Sequence, residues 1–237
     1  MNADGVVHLV GAGPGDPLLL TRRAARLLGQ ADVVVADRRS SDPVVALARP
    51  GAERCYVGRT PEGEAWPLHK VVDMLEAHAA AGRTVVRLKS GDVFVCSRAA
   101  EEAAALVARG VRVETTPGVT SATAAPLAAG VVPAVGSTVS IASGDDDPAA
   151  APVPWAALAD PGSTLVVLTG RAHQRTIARR LIEAGLAGTT PVSVVHAAGR
   201  PGTQVAATDL AGMGGTRLPP PAAVVIGPMI GGGRAHP

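Results

Sequence analysis

Gly11, Gly13, Pro14, Gly15 and Asp16 follow directly on the apolar run Val6 to Val10, and Asp37 closes a second apolar run about 20 residues further on. Glycines in such a turn let the main chain approach a bound molecule, so the strand is expected to deliver backbone amides to a ligand. A carboxylate at a strand end that faces a cleft can accept a proton. The same arrangement opens a dinucleotide fingerprint, which makes a nucleotide-dependent oxidoreductase a rival assignment. The details differ from that fingerprint: the glycines run G-x-G-P-G-D, so the third is displaced, Pro14 offers no amide, and Asp16 would put a carboxylate beside a pyrophosphate. A ligand without phosphates suits this turn better. Arg38, Arg87 and Arg98, with Asp16, are the other polar candidates near expected strand ends.

Holding these residues requires strands and helices in alternation, and the hydrophobic pattern supplies them. Strands are expected at Val6 to Val10, Val33 to Ala36, Arg54 to Val57, Thr84 to Leu88 and Val111 to Thr115. Helices fall between them near Thr21 to Leu28, after Asp42 and Pro43, at Leu68 to Ala80 and at Glu101 to Ala108, with glycines just beyond Leu28, Ala81 and Arg109 as stops. Strand, helix, strand is the rhythm of a parallel sheet. The small-residue stretch Pro117 to Gly130 changes the texture, so domains are expected at 5–116 and 117–230. The second half carries expected strands at Thr138 to Ala142, Thr164 to Leu168, Val192 to Val195, Gln204 to Thr208 and Ala222 to Ile226, and a helix at Thr176 to Ala184. Asp145, Asp146 and Asp147 read as a solvated loop rather than a metal site.

Composition narrows the class. A chain of 237 residues with 47% hydrophobic content can bury a sizeable core, and no apolar stretch reaches the roughly 18 residues of a spanning helix. The opening MNADG lacks the regions of a signal peptide, so a cytoplasmic enzyme with no membrane partner is expected. Aromatic residues are only 2%, which argues against stacking platforms and hence a nucleic-acid partner. Of the 22 basic residues only Lys70 and Lys89 are lysines; arginine forks suit carboxylates and phosphates, but a compositional bias of a chain also crowded with Ala, Gly and Pro is the preferred explanation of any single arginine. Arg22, Arg23, Arg26, Arg179 and Arg180 are assigned to solvated helix faces, and His8 to a satisfied structural role. Cys55 and Cys96 read as small buried or half-buried hydrophobes, and His69, His78, His173 and His196 show no ligand spacing, so no metal is expected.

The segments GAGPGDPLLLT (Gly11 to Thr21), ADVVVADR (Ala31 to Arg38), VVRLKSGDVFVCSRAAEE (Val85 to Glu102) and PGVTSATAAPLAAGV (Pro117 to Val131) resemble the uroporphyrinogen-III C-methyltransferases, members of the tetrapyrrole methylase family. The similarity continues in WAALADPGSTLVVLTGR, TIARRLIEAGLAGTTPVSVV and PAAVVIGPMI, so it covers nearly the whole chain. The resemblance implies an α/β fold of two domains, a parallel five-stranded N-terminal sheet and a mixed C-terminal sheet, with S-adenosylmethionine in the cleft between them, usually in a homodimer. It implies a C-methyltransferase acting on a tetrapyrrole bearing eight carboxylates, with S-adenosylhomocysteine as product, on the way to sirohaem or cobalamin. Carried over by position, the cofactor contacts are Pro14, Ser90, Gly91, Asp92, Val95, Thr120, Ser121, Thr169, Ala198 and Ala222. Asp37 matches the proposed base, and Arg59 and Arg87 are the further candidates for the catalytic set.

Departures fall on substrate-facing segments. VVPAVGS (Val131 to Ser137) stands where the family commonly has P-L-T-H-R, Arg59 replaces a lysine, Ala36 a tyrosine before D-R, Val93 the proline of G-D-P-F, and Thr169 a methionine. A relative methylating a different substrate and a non-catalytic relative that only binds the cofactor therefore remain alternatives.

Overall fold

The structure is a computed structural model that describes residues 5–37, 42–58, 66–132, 138–144, 153–169, 173–219 and 221–228. The chain divides into two compact units, Met1–Thr120 and Ser121–Pro237.

In the first unit the strands are β1 (Val6–Gly11), β2 (Val33–Ala36), β3 (Glu53–Tyr56), β4 (Thr84–Lys89) and β5 (Arg112–Thr116). The helices between them are α1 (Arg22–Gln30), α2 (Asp42–Val45), α3 (Leu68–Ala80) and α4 (Ala99–Ala108). The strands form one parallel sheet in the order β3-β2-β4-β1-β5, as the alternation of apolar runs and helices predicts. Strand polarity puts every carboxyl end at one edge, where α/β sheets present their sites.

Both faces of this sheet are covered, which is why its central strands are nearly continuous in valine and leucine. Val7, Leu9, Val33, Val35 and Val85 pack with Leu75 and Leu106 on one side, and Val10, Val34, Val86 and Leu88 with Leu28 on the other. α1 starts where Thr21 Oγ1 accepts from Ala24 N–H at 3.2 Å, and it buries Ala24, Leu27 and Leu28 while Arg22, Arg23 and Arg26 face solvent. One expected stop is corrected: α1 runs through Gly29 to Gln30, because Ala31 N–H reaches back to Leu28 O and the chain enters β2 from there. Gly82 (φ 71°) and Gly110 (φ 77°) do take the left-handed conformation just past α3 and α4.

In the second unit the elements are α5 (Ser121–Ala128), β6 (Val139–Ser143), α6 (Trp155–Leu158), β7 (Thr164–Leu168), α7 (Gln174–Glu183), β8 (Pro191–His196), β9 (Gln204–Asp209) and β10 (Ala222–Ile226). The sheet runs β6-β7-β10-β8-β9 and is mixed, with β6 and β7 parallel and the remaining pairs antiparallel. Its core joins Leu165, Val167, Val192, Val194 and Val224 to Ile177 and Leu181 of α7. α5 lies against β7, β8 and β10, burying Ala122, Ala124, Ala125 and Pro126. Arg179 is exposed, but Arg180 is half-buried and its Nε has no hydrogen-bond partner among the described residues, so the solvated face expected for both holds for Arg179 alone. No described helix is long and apolar enough to cross a membrane.

Candidate active site

Three turns meet at the carboxyl edge of the first sheet. Ala12 N–H donates to Lys89 O at 2.8 Å, and Gly13 and Gly91 exchange N–H···O bonds of 3.0 and 2.8 Å. The Ala12 and Gly13 amides are thus committed to the neighbouring strand end, so any amide that the turn delivers outward must come from the residues after Gly13. The glycines are needed for contact between backbones: a Cβ on Gly11 would lie 2.5 Å from Gly118 N, and one on Gly118 would lie 2.3 Å from Gly91 O.

Asp92 locks the arrangement. Its Oδ1 accepts from Phe94 N–H at 2.8 Å and Val95 N–H at 3.2 Å, while Oδ2 accepts from Gly118 N–H at 2.8 Å. Both oxygens of this buried carboxylate serve the main chain, so Asp92 shapes the turn that carries Ser90, Gly91 and half-buried Val95. Asp16 likewise serves its own turn, accepting from Leu18 N–H at 2.8 Å. Pro14 lies in the first of the three turns and Thr120 just past the third, so both belong to the same edge.

Beside this junction lies a buried cluster of charge. Alternation along β4 puts Arg87 and Lys89 on one face, toward α4, and α4 turns Glu102 toward them. Glu102 accepts from Arg87 Nε at 2.9 Å and Nη2 at 3.0 Å, and from Lys89 Nζ at 2.8 Å. Arg87 Nη2 also donates to Asp37 Oδ1, and Lys89 Nζ stands 3.6 Å from the same oxygen. Arg87 Nη1 completes the set on Val35 O and Leu88 O at 3.2 and 3.3 Å. Arg87, Lys89 and Glu102 are 2%, 6% and 3% exposed, whereas the Asp37 side chain keeps 24%. Burial by itself would depress the Arg87 guanidinium, but the Asp37 and Glu102 carboxylates outweigh it and hold its pKa above the ordinary value. Two cations and two anions balance, and the one partly exposed member is Asp37, at the end of β2.

The second sheet gathers its own set. β7 and β8 both run against β10, so their carboxyl ends and the start of β10 share an edge. Thr169 follows β7, Ala198 lies two residues past β8, and Ala222 opens β10 opposite His196. Thr169 and Ala197 hold positive φ, 64° and 50°, without being glycine. For a β-branched threonine this is a strained conformation, of the kind found where a turn is shaped for a ligand. Ser121, by contrast, is the first residue of α5.

Residues 6–213 match the family described as tetrapyrrole (corrin/porphyrin) methylases. The chain belongs to this family. A uroporphyrin-III C-methyltransferase from Thermus thermophilus, solved with S-adenosyl homocysteine, superposes with a TM-score of 0.80 at 37% identity, over 94% of this chain and 92% of that one. The cobalt precorrin-4 methyltransferase CbiF superposes with a TM-score of 0.81 at 27% identity, over 96% of each chain. Among curated proteins, a siroheme synthase of Azotobacter vinelandii is 40% identical over 87% of this chain and 45% of its own length, and one of Pseudoalteromonas atlantica is 37% identical over 95% and 50%. The chain thus spans about half the length of these curated relatives.

Against this tetrapyrrole methylase fold, some assignments move. Lys89 and Glu102 were absent from the sequence candidates, although both lie in the motif segment Val85 to Glu102. The alternation of Arg87 and Lys89 in a strand otherwise almost wholly apolar is a usable signal for Lys89. Arg98 is exposed and pairs with Glu101 at 2.9 Å, away from the buried cluster. Cys96 is exposed at φ 47° rather than buried, because it sits in the irregular turn between Asp92 and α4. His8 is buried, and the satisfied role expected of it does not hold at Nδ1, which makes no hydrogen bond among the described residues; Glu114 Oε2 stands 3.4 Å from it. Arg38, Arg59, Asp145, Asp146 and Asp147 lie outside the described residues, as does most of VVPAVGS.

Proposed function

We propose that this methyltransferase methylates uroporphyrinogen III at carbon with S-adenosylmethionine as donor, forming precorrin-2 by way of precorrin-1 and leaving S-adenosylhomocysteine. The observation that carries this reading is the partly exposed Asp37 at the carboxyl edge of the first sheet, held by Arg87 and Lys89 over a buried Glu102. The residues present fit such a cofactor: in the first turn the Ala12 and Gly13 amides are bonded to the neighbouring strand end, Pro14 has none and Asp16 brings a carboxylate, which disfavours a phosphate, and the donor carries no phosphate. Pro14, Ser90, Gly91, Val95 and Thr120 in the first unit, and Ser121, Thr169, Ala198 and Ala222 in the second, are the residues proposed to hold it, with Asp92 keeping its turn in shape.

When bound, that cofactor supplies an electrophilic methyl group on a sulfonium. The chain's own part is alignment and charge. Carbon methylation of a pyrrole leaves positive charge on the ring and then a proton to remove. Asp37 can stabilise that charge and receive the proton. Arg87 and Lys89 fix where its carboxylate stands. Pairing in a homodimer, a cytoplasmic setting, a role in sirohaem or cobalamin synthesis and the lack of a nucleic-acid or membrane partner belong to the same proposal.

A second reading, methylation of a later corrinoid, draws support from VVPAVGS, which lacks the histidine and arginine of the P-L-T-H-R segment. One incubation separates the two: enzyme, S-adenosylmethionine and uroporphyrinogen III are expected to yield a red-fluorescing dimethylated product. No product, with thermal stabilisation by S-adenosylhomocysteine intact, favours the second reading. Stabilisation by NAD alone overturns both.

A further inference from the structure

A second cluster of reactive side chains lies on edge strand β3 and the end of α3, and its residue types are ones that transition metals take as ligands. β3 is an edge strand, and alternation puts Glu53 and Cys55 on the same face of it. α3 runs back toward the amino ends of the strands and brings His78 to them in its last turn. The carboxylate, thiol and imidazole donor atoms of these three residues all lie within 4.8 Å of one another. Cys55 Sγ is 3.7 Å from Glu53 Oε1, and His78 Nε2 is 3.9 Å from the same oxygen.

Those separations are close to what one ion would impose. Tetrahedral zinc, with Zn–S near 2.3 Å and Zn–N or Zn–O near 2.0 to 2.1 Å, spaces its ligand atoms roughly 3.3–3.6 Å apart. The two contacts to Glu53 Oε1, at 3.7 and 3.9 Å, need to close by only a few tenths of an ångström, and the thiol and imidazole, within 4.8 Å of each other, by about 1 Å at most. A sulfur, nitrogen and oxygen set favours zinc-class ions over magnesium or calcium, which take oxygen. The Glu53 side chain is 46% exposed, so solvent can supply a fourth ligand.

A cation already attends the cluster. Arg83 Nη1 donates to Glu53 Oε2 at 2.6 Å and lies 3.1 Å from His78 Nδ1. It thus engages the other oxygen and the other ring nitrogen, and leaves Oε1, Sγ and Nε2 facing one another. Since arginine only donates, His78 Nδ1 is here the acceptor and Nε2 carries the proton. Binding a metal through Nε2 moves that proton to Nδ1, so Arg83 must let go of His78 while it can keep Glu53. Its side chain is 42% exposed and has room to turn away.

We propose that Glu53, Cys55 and His78 form a binding site for a zinc-class divalent cation, which ties edge strand β3 to the end of α3. On binding, the Cys55 thiol proton leaves to solvent and the sulfur–metal bond takes its place. The ion enters and leaves with its charge unchanged, so no oxidant or reductant is involved.

Cobalt(II) is the probe. Titrated into the full chain under reducing conditions, it is expected to give a thiolate-to-cobalt charge-transfer band with four-coordinate d–d absorption, and zinc is expected to bleach both. Cys55→Ser should abolish the charge-transfer band and Cys96→Ser should leave it intact. His78→Gln and Glu53→Gln, which spare the thiol, should each weaken cobalt binding about tenfold or more. Arg83→Met should tighten it by removing the competing cation. No band in the wild-type protein, a band lost with Cys96→Ser but kept with Cys55→Ser, or affinity unmoved by His78→Gln and Glu53→Gln, would each overturn the proposal.

Discussion

Arg87 and Glu102 face each other through two parallel N–H···O bonds of 2.9 and 3.0 Å, with both side chains almost wholly out of water. The bidentate form suits a planar guanidinium and a planar carboxylate, and it leaves Arg87 one nitrogen shared with Asp37. The pair transmits the rigidity of the buried interior to the one carboxylate that keeps contact with solvent.

Breaking that balance has a stability cost. Glu102→Gln leaves Arg87 and Lys89 with a single carboxylate between them, and removing one partner of a buried ion set costs about 3–5 kcal/mol. Lys89→Met combined with Glu102→Gln restores the balance of charge, so the double variant is expected to be more stable than Glu102→Gln alone. Urea unfolding of the three proteins measures both differences, and equal midpoints for the two variants would show that charge balance is not what the cluster provides.

Asp37→Asn keeps the shape and removes the charge. If Asp37 works on the methyl acceptor, turnover should fall by about 10²–10⁴. Affinity for S-adenosylhomocysteine, measured by calorimetry, should stay within a few-fold of wild type. Unchanged product formation would remove Asp37 from the reaction without touching the family assignment.

Gly118→Ala forces a methyl group to within 2.3 Å of Gly91 O and disturbs the bond from Gly118 N–H to Asp92. Both neighbours are backbone, so relief requires the turns to separate, at a cost of about 1–3 kcal/mol or more. Gly110→Ala is the comparison: it is strained by φ 77° but meets nothing within 4 Å. It should cost roughly 1–2 kcal/mol, and only Gly118→Ala should also weaken binding of S-adenosylhomocysteine.

His8 makes stability sensitive to mild acid. Burial lowers its pKa from the usual 6.5, with Arg23 and Arg112 pushing the same way and Glu114 opposing. As pH falls below about 6.5 the unfolded chain takes up a proton that the folded chain resists, so stability drops toward acid, by at most about 1.4 kcal/mol per pH unit. Urea unfolding near pH 7.5 and near pH 5.5 should show a smaller drop for His8→Leu than for wild type. An identical drop would assign the acid sensitivity to other groups.

How much of this was legible in the sequence varies with the range of the interaction. The apolar runs placed β2, β7 and β10 at their observed bounds, because burial on a sheet selects residue type within the strand itself. The strand and helix rhythm correctly predicted the first sheet as parallel, and the motif segments carried the tetrapyrrole methylase resemblance that the family match bears out. Gly29 shows the limit even of local signals: a glycine can stop a helix, but the bond from Ala31 N–H to Leu28 O let α1 run past it.

What the sequence by itself determined, then, is most of the elements, their order and the family, since each follows from periodicity or from residues close together in the chain; the one-turn α6 (Trp155–Leu158) is too short to show a period and is not among the expected helices. Only the tertiary structure decided which groups meet: Gly118 against Gly11 and Gly91, Glu102 beneath Arg87 and Lys89, and His78 beside Glu53 and Cys55. These contacts depend on strand order and on the face that each helix turns to the sheet. A charged residue's type does not say whether water or another buried charge will be its partner; packing makes that choice.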